Sequence, residues 1–291
     1  MTQTGSSLHS KYLVLTFAVG VISTAAILIV LADAPPLAIA AYRLTLASII
    51  LLPFAWRSGW TEIKKLSKQD WGLSLLSGLF LALHFWTWVS SLKYTSVASS
   101  VMLVTTNPIF VGLGSHFLLR ERLTRLVVLG IVLSVAGGVL IGVGDLRAGQ
   151  NELLGDLMAL AGALCSSAYF LIGRRARQAT SLLNYIAIVY GMAALILILL
   201  ALAAGVPLWG YSTATYGLLI ALAVGPQLIG HTSVNWALRY LSAPTVALFI
   251  LGEPIGSTIL AYFILAQGLT WFKVLGGAFI IAGIYLATRR R

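Results

Sequence analysis

The sequence predicts an all-α polytopic membrane protein whose ten transmembrane helices form two inverted five-helix repeats. Charged residues make up 9% and hydrophobic residues 59% of the 291 residues, too little charge to cover the surface of a soluble domain. Residues 94–141 recur as residues 240–287 at a constant offset of 146, with 14 identities in 48 positions. An odd number of crossings in each repeat turns the second copy upside down relative to the first, an arrangement found in many secondary transporters.

Most of the ten predicted spans contain about 20 apolar residues, which matches a hydrocarbon core about 30 Å thick. Charged residues, prolines and serines mark several of the connections between them, including Asp33–Pro36, Arg120–Arg122 and Ser242–Pro244. The predicted limits are 12–32, 36–56, 71–91, 96–119, 125–144, 153–173, 182–204, 213–238, 243–265 and 270–288.

The basic residues predict the orientation. If the N-terminus is cytoplasmic, fifteen lysines and arginines fall on the cytoplasmic side and three on the other, namely Lys93, Arg147 and Lys273. This is a strong positive-inside bias. We therefore expect a bacterial inner (plasma) membrane protein with both termini in the cytoplasm.

The two repeats divide the chain into residues 1–148 and 149–291. Their first spans also correspond, because Gly20–Ala26 aligns with Gly162–Ala168 at an offset of 142. The polar connection from Asp145 to Asp156 then crosses the outer surface between the repeats.

Composition and motifs argue against several function classes. No lysine follows a glycine, so a phosphate-binding GK[ST] loop is absent. The four histidines are far apart and Cys165 is the only cysteine, so we expect neither a metal site nor any cofactor. The net charge of +11 lies in short loops rather than on one face, which indicates membrane orientation instead of nucleic-acid binding. No catalytic constellation is present, so an enzyme is not expected.

Glu253 and Pro254 form the most informative pair within a span. An acid at that depth needs a partner or a wet cavity, and Pro254 predicts a bend because it cannot donate a helical hydrogen bond. Glu253 is either a coupling or gating acid or a structural one. Asn107 and Pro108 occupy the equivalent place in the first repeat, where asparagine either bonds across helices or satisfies backbone that the proline exposes.

Arg43 is the only arginine expected within a helix, just inside the second span. It either extends to the outer surface, since Asp33 is only ten residues earlier, or it binds a substrate carboxylate or Glu253.

Polar and aromatic side chains on the third and eighth spans predict the wall of a central cavity. Gln227, His231 and Asn235 are spaced at four and share one face of a helix. They serve either as interhelical hydrogen-bonding groups or as a cavity wall. Trp86 and Trp88 offer stacking surfaces or belong to an interfacial aromatic belt. The predicted substrate-binding residues are His84, Trp86, Trp88, Met102, Tyr169, Gln227, His231 and Asn235.

Glycines on the fifth and tenth spans predict close helix packing. Gly130 and Gly137 recur as Gly276 and Gly283, and small residues let helices approach closely in lipid. These two spans should form a scaffold at the interface either between the repeats or between two copies in a homodimer.

Several blocks of residues resemble the drug/metabolite transporter superfamily, specifically its EamA-type ten-helix exporters. The Asn107-Pro108-Ile-Phe block and Glu253-Pro254-Ile resemble the proline motifs of the fourth and ninth helices. The Arg120–Thr124 run resembles the family's loop that starts the fifth helix. The glycine-rich ends of the fifth and tenth spans resemble the family's fifth and tenth helices. Asn107 replaces the acid usual in that motif. The chain is similar to bacterial amino-acid exporters, including exporters of aromatic amino acids.

The prediction is therefore a secondary transporter that works by alternating access, with a central site lined by helices one, three, four, six, eight and nine. The resemblance implies export of small amphipathic metabolites, with amino acids the favoured cargo. Other cargo stays open, namely drug-like cations, purines or a lipid-linked metabolite, as does a channel. The expected partners are a small-molecule substrate and the lipid bilayer.

Overall fold

The computed structural model describes residues 3–64, 66–94, 100, 103–104, 106–121, 123–143, 152–266 and 268–288. Within these residues every regular element is helical, and the ten predicted spans are present. The helices are Gln3–Ile22 and Thr24–Leu31 (span 1), Pro36–Ile63 (span 2), Lys68–Tyr94 (span 3), Asn107–Phe117 (span 4), Arg125–Val143 (span 5), Glu152–Ala179 (span 6), Leu182–Ala203 (span 7), Thr213–Leu222, Ala223–His231 and Thr232–Ala237 (span 8), Ala243–Ile250 and Glu253–Ile264 (span 9) and Trp271–Thr288 (span 10). The predicted boundary between the repeats, at residues 148 and 149, lies outside the described residues.

Seven helical stretches of the described chain are long and apolar enough to cross a membrane, and spans 5 and 10 contain shorter apolar helical stretches. The outer surface carries large hydrophobic side chains such as Phe17, Leu52, Val132 and Phe263, each more than half exposed. Such a surface is unfavourable in water and suits the hydrocarbon of a bilayer. The protein is therefore a multi-pass membrane protein.

Spans 1, 8 and 9 are not continuous α-helices. Span 1 is interrupted at Ser23, and span 9 is interrupted at Leu251 and Gly252, directly before the proline that predicted a bend. Span 8 is π-helical from Ala223 to His231 and contains Pro226, whose missing N–H disturbs the regular hydrogen-bond ladder. Interrupted backbone at membrane depth is tolerated where protein or a cavity covers it.

Helix packing follows the symmetry expected of inverted repeats. Spans 3 and 6 pack together, and so do spans 8 and 1, their counterparts five spans away. Spans 2 and 7, 4 and 9, and 5 and 10 also pack in pairs. In each of these pairs the two spans occupy the same position in their respective repeats. This pattern of pairs is the one that a pseudo-two-fold axis between inverted repeats produces.

Glycines let spans 5 and 10 touch backbone to backbone. A Cβ atom at Gly130 would lie 2.6 Å from the carbonyl oxygen of Gly283, and one at Gly137 would lie 2.5 Å from that of Gly276. These two contacts exchange under the repeat offset, which maps Gly130 onto Gly276 and Gly137 onto Gly283. The predicted scaffold is thus an interface between the repeats.

The interruptions of spans 1 and 9 lie against each other. Ser23 Oγ donates to the carbonyl oxygen of Glu253 at 3.3 Å, and Ser257 Oγ donates to the carbonyl oxygen of Ser23 at 3.0 Å. Gly256 makes this approach possible, since a Cβ atom there would lie 2.3 Å from Ser23 Oγ. The crossing joins the backbones of spans 1 and 9 through two serine hydroxyls, and it places Glu253 beside the centre of the protein.

Candidate functional site

A central cavity of about 70 Å³ lies between the two repeats. It could hold roughly five water molecules if each needs about 10–15 Å³ of accessible volume. Most of its wall is apolar. The residues that line it come from spans 1, 2, 3, 4, 6, 8 and 9: Ile22, Ala25, Ala26, Arg43, His84, Phe85, Trp88, Val104, Asn107, Pro108, Ser166, Phe170, His231, Ala247, Ile250, Leu251, Glu253, Pro254 and Ser257.

Arg43 reaches this cavity from span 2 and is 1% exposed. Its Nε donates to Gln227 Oε1 at 2.8 Å, and its guanidinium carbon lies 4.2 Å from the centre of the Phe85 ring. Nη1 and Nη2 have no hydrogen-bond partner. Arg43 therefore does not extend to the outer surface, and two of its donor groups are left for a ligand or for water.

Glu253 lines the same cavity at the start of the second helix of span 9. The N-terminal end of a helix favours a negative charge, so this position alone would stabilise the ionised form of the Glu253 carboxyl group. Arg43 lines the cavity together with Glu253, yet their side chains form no direct hydrogen bond, because the Arg43 Nη atoms have no partner. The cavity wall thus carries one arginine and one glutamate whose side chains are not bonded to each other.

Aromatic and imidazole rings form one wall. His84 stacks on Trp88 with ring centres 6.0 Å apart and planes 3° from parallel, and His84 Nδ1 lies 2.9 Å from the carbonyl oxygen of Gly162. His231 meets Phe85 edge to face at 5.5 Å. His231 Nδ1 and Trp88 Nε1 are buried without hydrogen-bond partners, so this wall also carries unsatisfied polar atoms.

Asn107 is hydrogen-bonded within the wall between the repeats. Its Nδ2 donates to Ser166 Oγ at 2.9 Å, and its backbone carbonyl oxygen accepts from Ser167 Oγ at 3.3 Å. Pro108 lines the cavity beside it. These bonds join span 4 to span 6. Asn107 therefore has fewer groups left to hydrogen-bond a ligand than Arg43 or Glu253.

A buried polar network lies next to the cavity, toward the end of span 8. Tyr169 Oη donates to Asn235 Oδ1 at 2.7 Å, and Asn235 Nδ2 donates to Tyr190 Oη at 3.3 Å. Arg177 is 1% exposed and donates from Nε to the carbonyl oxygen of Asn235. The network connects spans 6, 7 and 8. It lies between the cavity and the end of the bundle that carries Arg174, Arg175 and Arg239, which we call the arginine-rich side.

Arg174 joins both repeats at that arginine-rich side. Its Nε donates to Glu121 Oε1 at 3.0 Å, and its Nη1 donates to the carbonyl oxygens of Leu238 and Arg239 at 2.9 and 3.0 Å. Both charged side chains are partly exposed, so the pair is worth at most about 1 kcal/mol.

We expect Arg174→Ala to increase the reaction rate of Cys165 with a membrane-permeant maleimide about two- to fivefold, the factor that corresponds to loss of a pair worth up to about 1 kcal/mol. Cys165 is half-buried and precedes the cavity residue Ser166, so its labelling reports on opening of this region. Arg175→Ala, at an exposed arginine next in sequence, is the matched control. Equal rates in the two variants would show that the pair does not hold this side closed.

The structure distributes the predicted substrate-binding residues over three environments. His84, Trp88 and His231 line the cavity. Gln227 lies behind the wall, bonded to Arg43. Tyr169 and Asn235 belong to the polar network, and Trp86 packs against the core away from the cavity. Met102 lies outside the described residues.

All five predicted gating or coupling residues line the cavity, namely Arg43, Asn107, Pro108, Glu253 and Pro254. Their roles in transport stay predictions.

The spacing of Gln227, His231 and Asn235 did not reveal that they have different partners. All three are buried, as expected of polar groups in a span. Hydrogen bonding to the fifth residue in the π-helical stretch widens the helical turn, so side chains spaced at four no longer follow an ideal α-helical face.

Sequence reasoning missed span 2 as a wall and several apolar or small lining residues. Phe85 and Phe170 are direct neighbours of the predicted His84 and Tyr169. His84 lines the cavity together with Phe85, whereas Phe170 lines it in place of Tyr169, an error of one position on span 6. Ser166 belongs to the weak repeat between Gly20–Ala26 and Gly162–Ala168, which was a usable signal. Ile22 belongs to the same weak repeat, whereas nothing in the sequence distinguished Ile250 from other apolar residues.

The described residues contain no cluster of three or more histidine, cysteine or acidic side chains that could hold a metal ion. The charged residues of the cavity are single residues on different spans. The arrangement is suited to binding a solute by charge, hydrogen bonds and apolar contact.

Comparison with known proteins gives consistent matches. A sequence model described as the EamA-like transporter family matches twice, at residues 11–143 and 153–289. The chain is 26% identical over 250 residues to an uncharacterized transporter of Clostridium kluyveri, covering 82% of this chain and 78% of that protein. It is also 26% identical over 269 residues to an uncharacterized transporter of Archaeoglobus fulgidus, covering 90% of each.

A solved crystal structure has the same fold. It superposes with a TM-score of 0.78 and covers 96% of both chains at 21% sequence identity. At that identity the likeness concerns the fold alone.

Proposed function

Because the chain belongs to the EamA-like transporter family, we propose that this membrane transporter is a secondary transporter that exports small amphipathic metabolites by alternating access. Amino acids with apolar side chains, including aromatic ones, are the cargo we favour. Export and the amino-acid class rest on the family resemblance together with the chemistry of the cavity.

The observation that carries the proposal is a largely apolar cavity with one arginine and one glutamate at its wall. Arg43 and Glu253 both line it and do not bond directly to each other. An α-amino acid carries a carboxylate and an ammonium group on one carbon, followed by a side chain that suits apolar contacts. Ligand sites in proteins generally combine an apolar wall with a few placed polar groups in this way.

The size of the cavity limits the cargo. A volume of about 70 Å³ suits a small solute, so an aromatic amino acid requires the wall to move. The interruptions of spans 1, 8 and 9 lie around the cavity, and such breaks are where transporter helices bend. The packed network around Asn235 and Arg174 lies on one side of the cavity, as expected of a conformation closed on that side.

The fifteen-to-three distribution of basic residues supports a cytoplasmic position for both termini and for the arginine-rich side. Export would then load cargo from that side and release it on the other. The bacterial inner membrane remains our proposed location.

A drug-like cation is the second candidate, and Glu253 is the observation that favours it. A cation would pair with the carboxylate and stack on Trp88 or Phe85, which line the same cavity. Arg43 disfavours this cargo because its charge would repel a cation from the same small space.

Transport into liposomes that contain the purified protein tests the proposal. We expect saturable uptake and counter-transport of neutral amino acids, with protein-free liposomes as the control. Radiolabelled amino acids, a purine and a quaternary ammonium cation should be compared with and without a pH gradient. Uptake of the cation alone would replace the favoured cargo with the second candidate, and flux that does not saturate would indicate a channel.

A further inference from the structure

The guanidinium of Arg43 is fixed in place but incompletely bonded. Gln227 accepts from its Nε at 2.8 Å and the Phe85 ring covers it at 4.2 Å, while Nη1 and Nη2 are buried without partners. A buried charged donor that lacks a partner is costly, and no side chain accepts a hydrogen bond from Nη1 or Nη2 of this cavity-lining arginine.

Gln227 has one consistent orientation in this arrangement. A guanidinium can only donate hydrogen bonds, so the amide oxygen of Gln227 must face Arg43. Gln227 Nε2 then points elsewhere, and it is buried without a partner. Gln227 is 0% exposed, so it acts through Arg43 as a positioning residue.

The other polar groups of the wall leave few free donors. Asn107 and Ser166 are bonded to each other, Ser257 is bonded to Ser23, and His84 contacts the carbonyl oxygen of Gly162. Among the described lining residues, the buried side-chain donors or acceptors without partners are Arg43 Nη1 and Nη2, Trp88 Nε1 and His231 Nδ1. Two parallel N–H groups on one guanidinium match the two oxygens of a carboxylate.

We propose that Arg43 is a carboxylate-binding subsite of the cavity, oriented by Gln227 and Phe85, and that cargo must carry a carboxylate to bind well. This rests on the proposed function, since it assigns one end of the transported solute. The carboxylate bonds to Nη1 and Nη2, and an ammonium group on the same solute points toward the Glu253 side. An amine of the same shape leaves both Nη atoms unsatisfied, and an amide offers them one neutral acceptor oxygen in place of two charged ones.

Binding to the purified full-length protein in lipid nanodiscs tests the subsite without relying on transport. The probes are L-leucine, L-leucinamide and isoamylamine, with L-phenylalanine and L-phenylalaninamide as a larger pair. Leucinamide keeps the size and the ammonium group of leucine and lacks only the carboxylate charge. We expect wild-type protein to bind leucine at least about tenfold more tightly than leucinamide or isoamylamine, which corresponds to a charged hydrogen-bonded contact.

Arg43→Gln should reduce this preference to about onefold, and Arg43→Lys should leave an intermediate preference because lysine keeps the charge without the planar fork. Gln227→Leu should also reduce the preference, although the charge of Arg43 remains. Arg175→Gln removes an exposed arginine elsewhere and should keep the wild-type preference.

Equal binding of leucine and leucinamide by wild-type protein overturns the subsite, whether or not the Arg43 variants fold. That result would leave the proposed transport of amphipathic solutes intact. An unchanged preference in a folded Arg43→Gln variant also overturns it. Failure of every amino acid, amide and amine to bind would contradict the proposed function itself, and the subsite with it.

Discussion

Replacing Gly283 with alanine is expected to destabilise the protein by about 1–3 kcal/mol, the usual cost of overpacking a tight core. The new Cβ atom would lie 2.1 Å from Ser134 Oγ, 2.6 Å from the carbonyl oxygen of Gly130 and 3.0 Å from the backbone nitrogen of Ser134. Two of these atoms are backbone, so no change of rotamer relieves the overlap, and spans 5 and 10 must separate. The overlap outweighs the helix preference of alanine over glycine, about 1 kcal/mol.

Thermal unfolding of the purified protein measures this effect. Gly277→Ala is the matched control, because the same change on the same span would place a Cβ atom no closer than 3.8 Å to its nearest neighbour, Ile255 Cγ1. We expect the control to unfold at the wild-type temperature or slightly above it. Similar unfolding temperatures for the two variants would argue against the close contact between the repeats.

Replacing Glu253 with glutamine is expected to abolish the dependence of transport on a pH gradient while exchange of substrate across the membrane continues. If Glu253 carries a coupling proton, the cycle requires the carboxyl to be charged in one state and neutral in another. Glutamine has nearly the same shape and is permanently neutral. The position in the first turn of a helix would stabilise the charged acid, so a purely structural role instead predicts reduced stability with unchanged pH dependence.

Counter-transport at two pH values in liposomes that contain Glu253→Gln separates these roles. Asp70→Asn provides the same acid-to-amide change at the start of span 3, where the carboxylate accepts from Ser67 at an exposed site. Its pH profile should match that of wild-type protein. A wild-type profile in Glu253→Gln would rule out proton coupling through this residue and leave Glu253 as a structural acid or a partner for cargo.

The alignment of the two repeats indicated which glycine positions of spans 5 and 10 make close helix contacts. It aligned Gly130 with Gly276 and Gly137 with Gly283, and the structure brings Gly130 against Gly283 and Gly137 against Gly276. An alignment between two copies identifies equivalent positions, and glycine at such positions indicates close approach. It does not state which helix is approached, so packing between the repeats and packing between two molecules could not be distinguished from the sequence.

The polar residues within spans show the same division. The cost of burying charge in a membrane made Arg43 and Glu253 informative without any structure, and both line the central cavity. That Arg43 keeps two free donors depends on Gln227, 184 positions later in the chain. Sequence periodicity contains no record of such a contact.

The sequence by itself determined the membrane class, the number of spans and their inversion. It also identified the few polar groups that are costly in a bilayer and therefore need a partner or a cavity. Hydropathy and repetition are properties of single residues and of their order along the chain, so they can be read directly. Only the tertiary structure decided that span 2 belongs to the cavity wall, that span 8 becomes π-helical around Pro226 and that Tyr169 bonds to Asn235 instead of facing the cavity. These outcomes depend on distances between helices that are remote in sequence and on one or two positions of helix rotation, which are fixed by packing of the whole bundle.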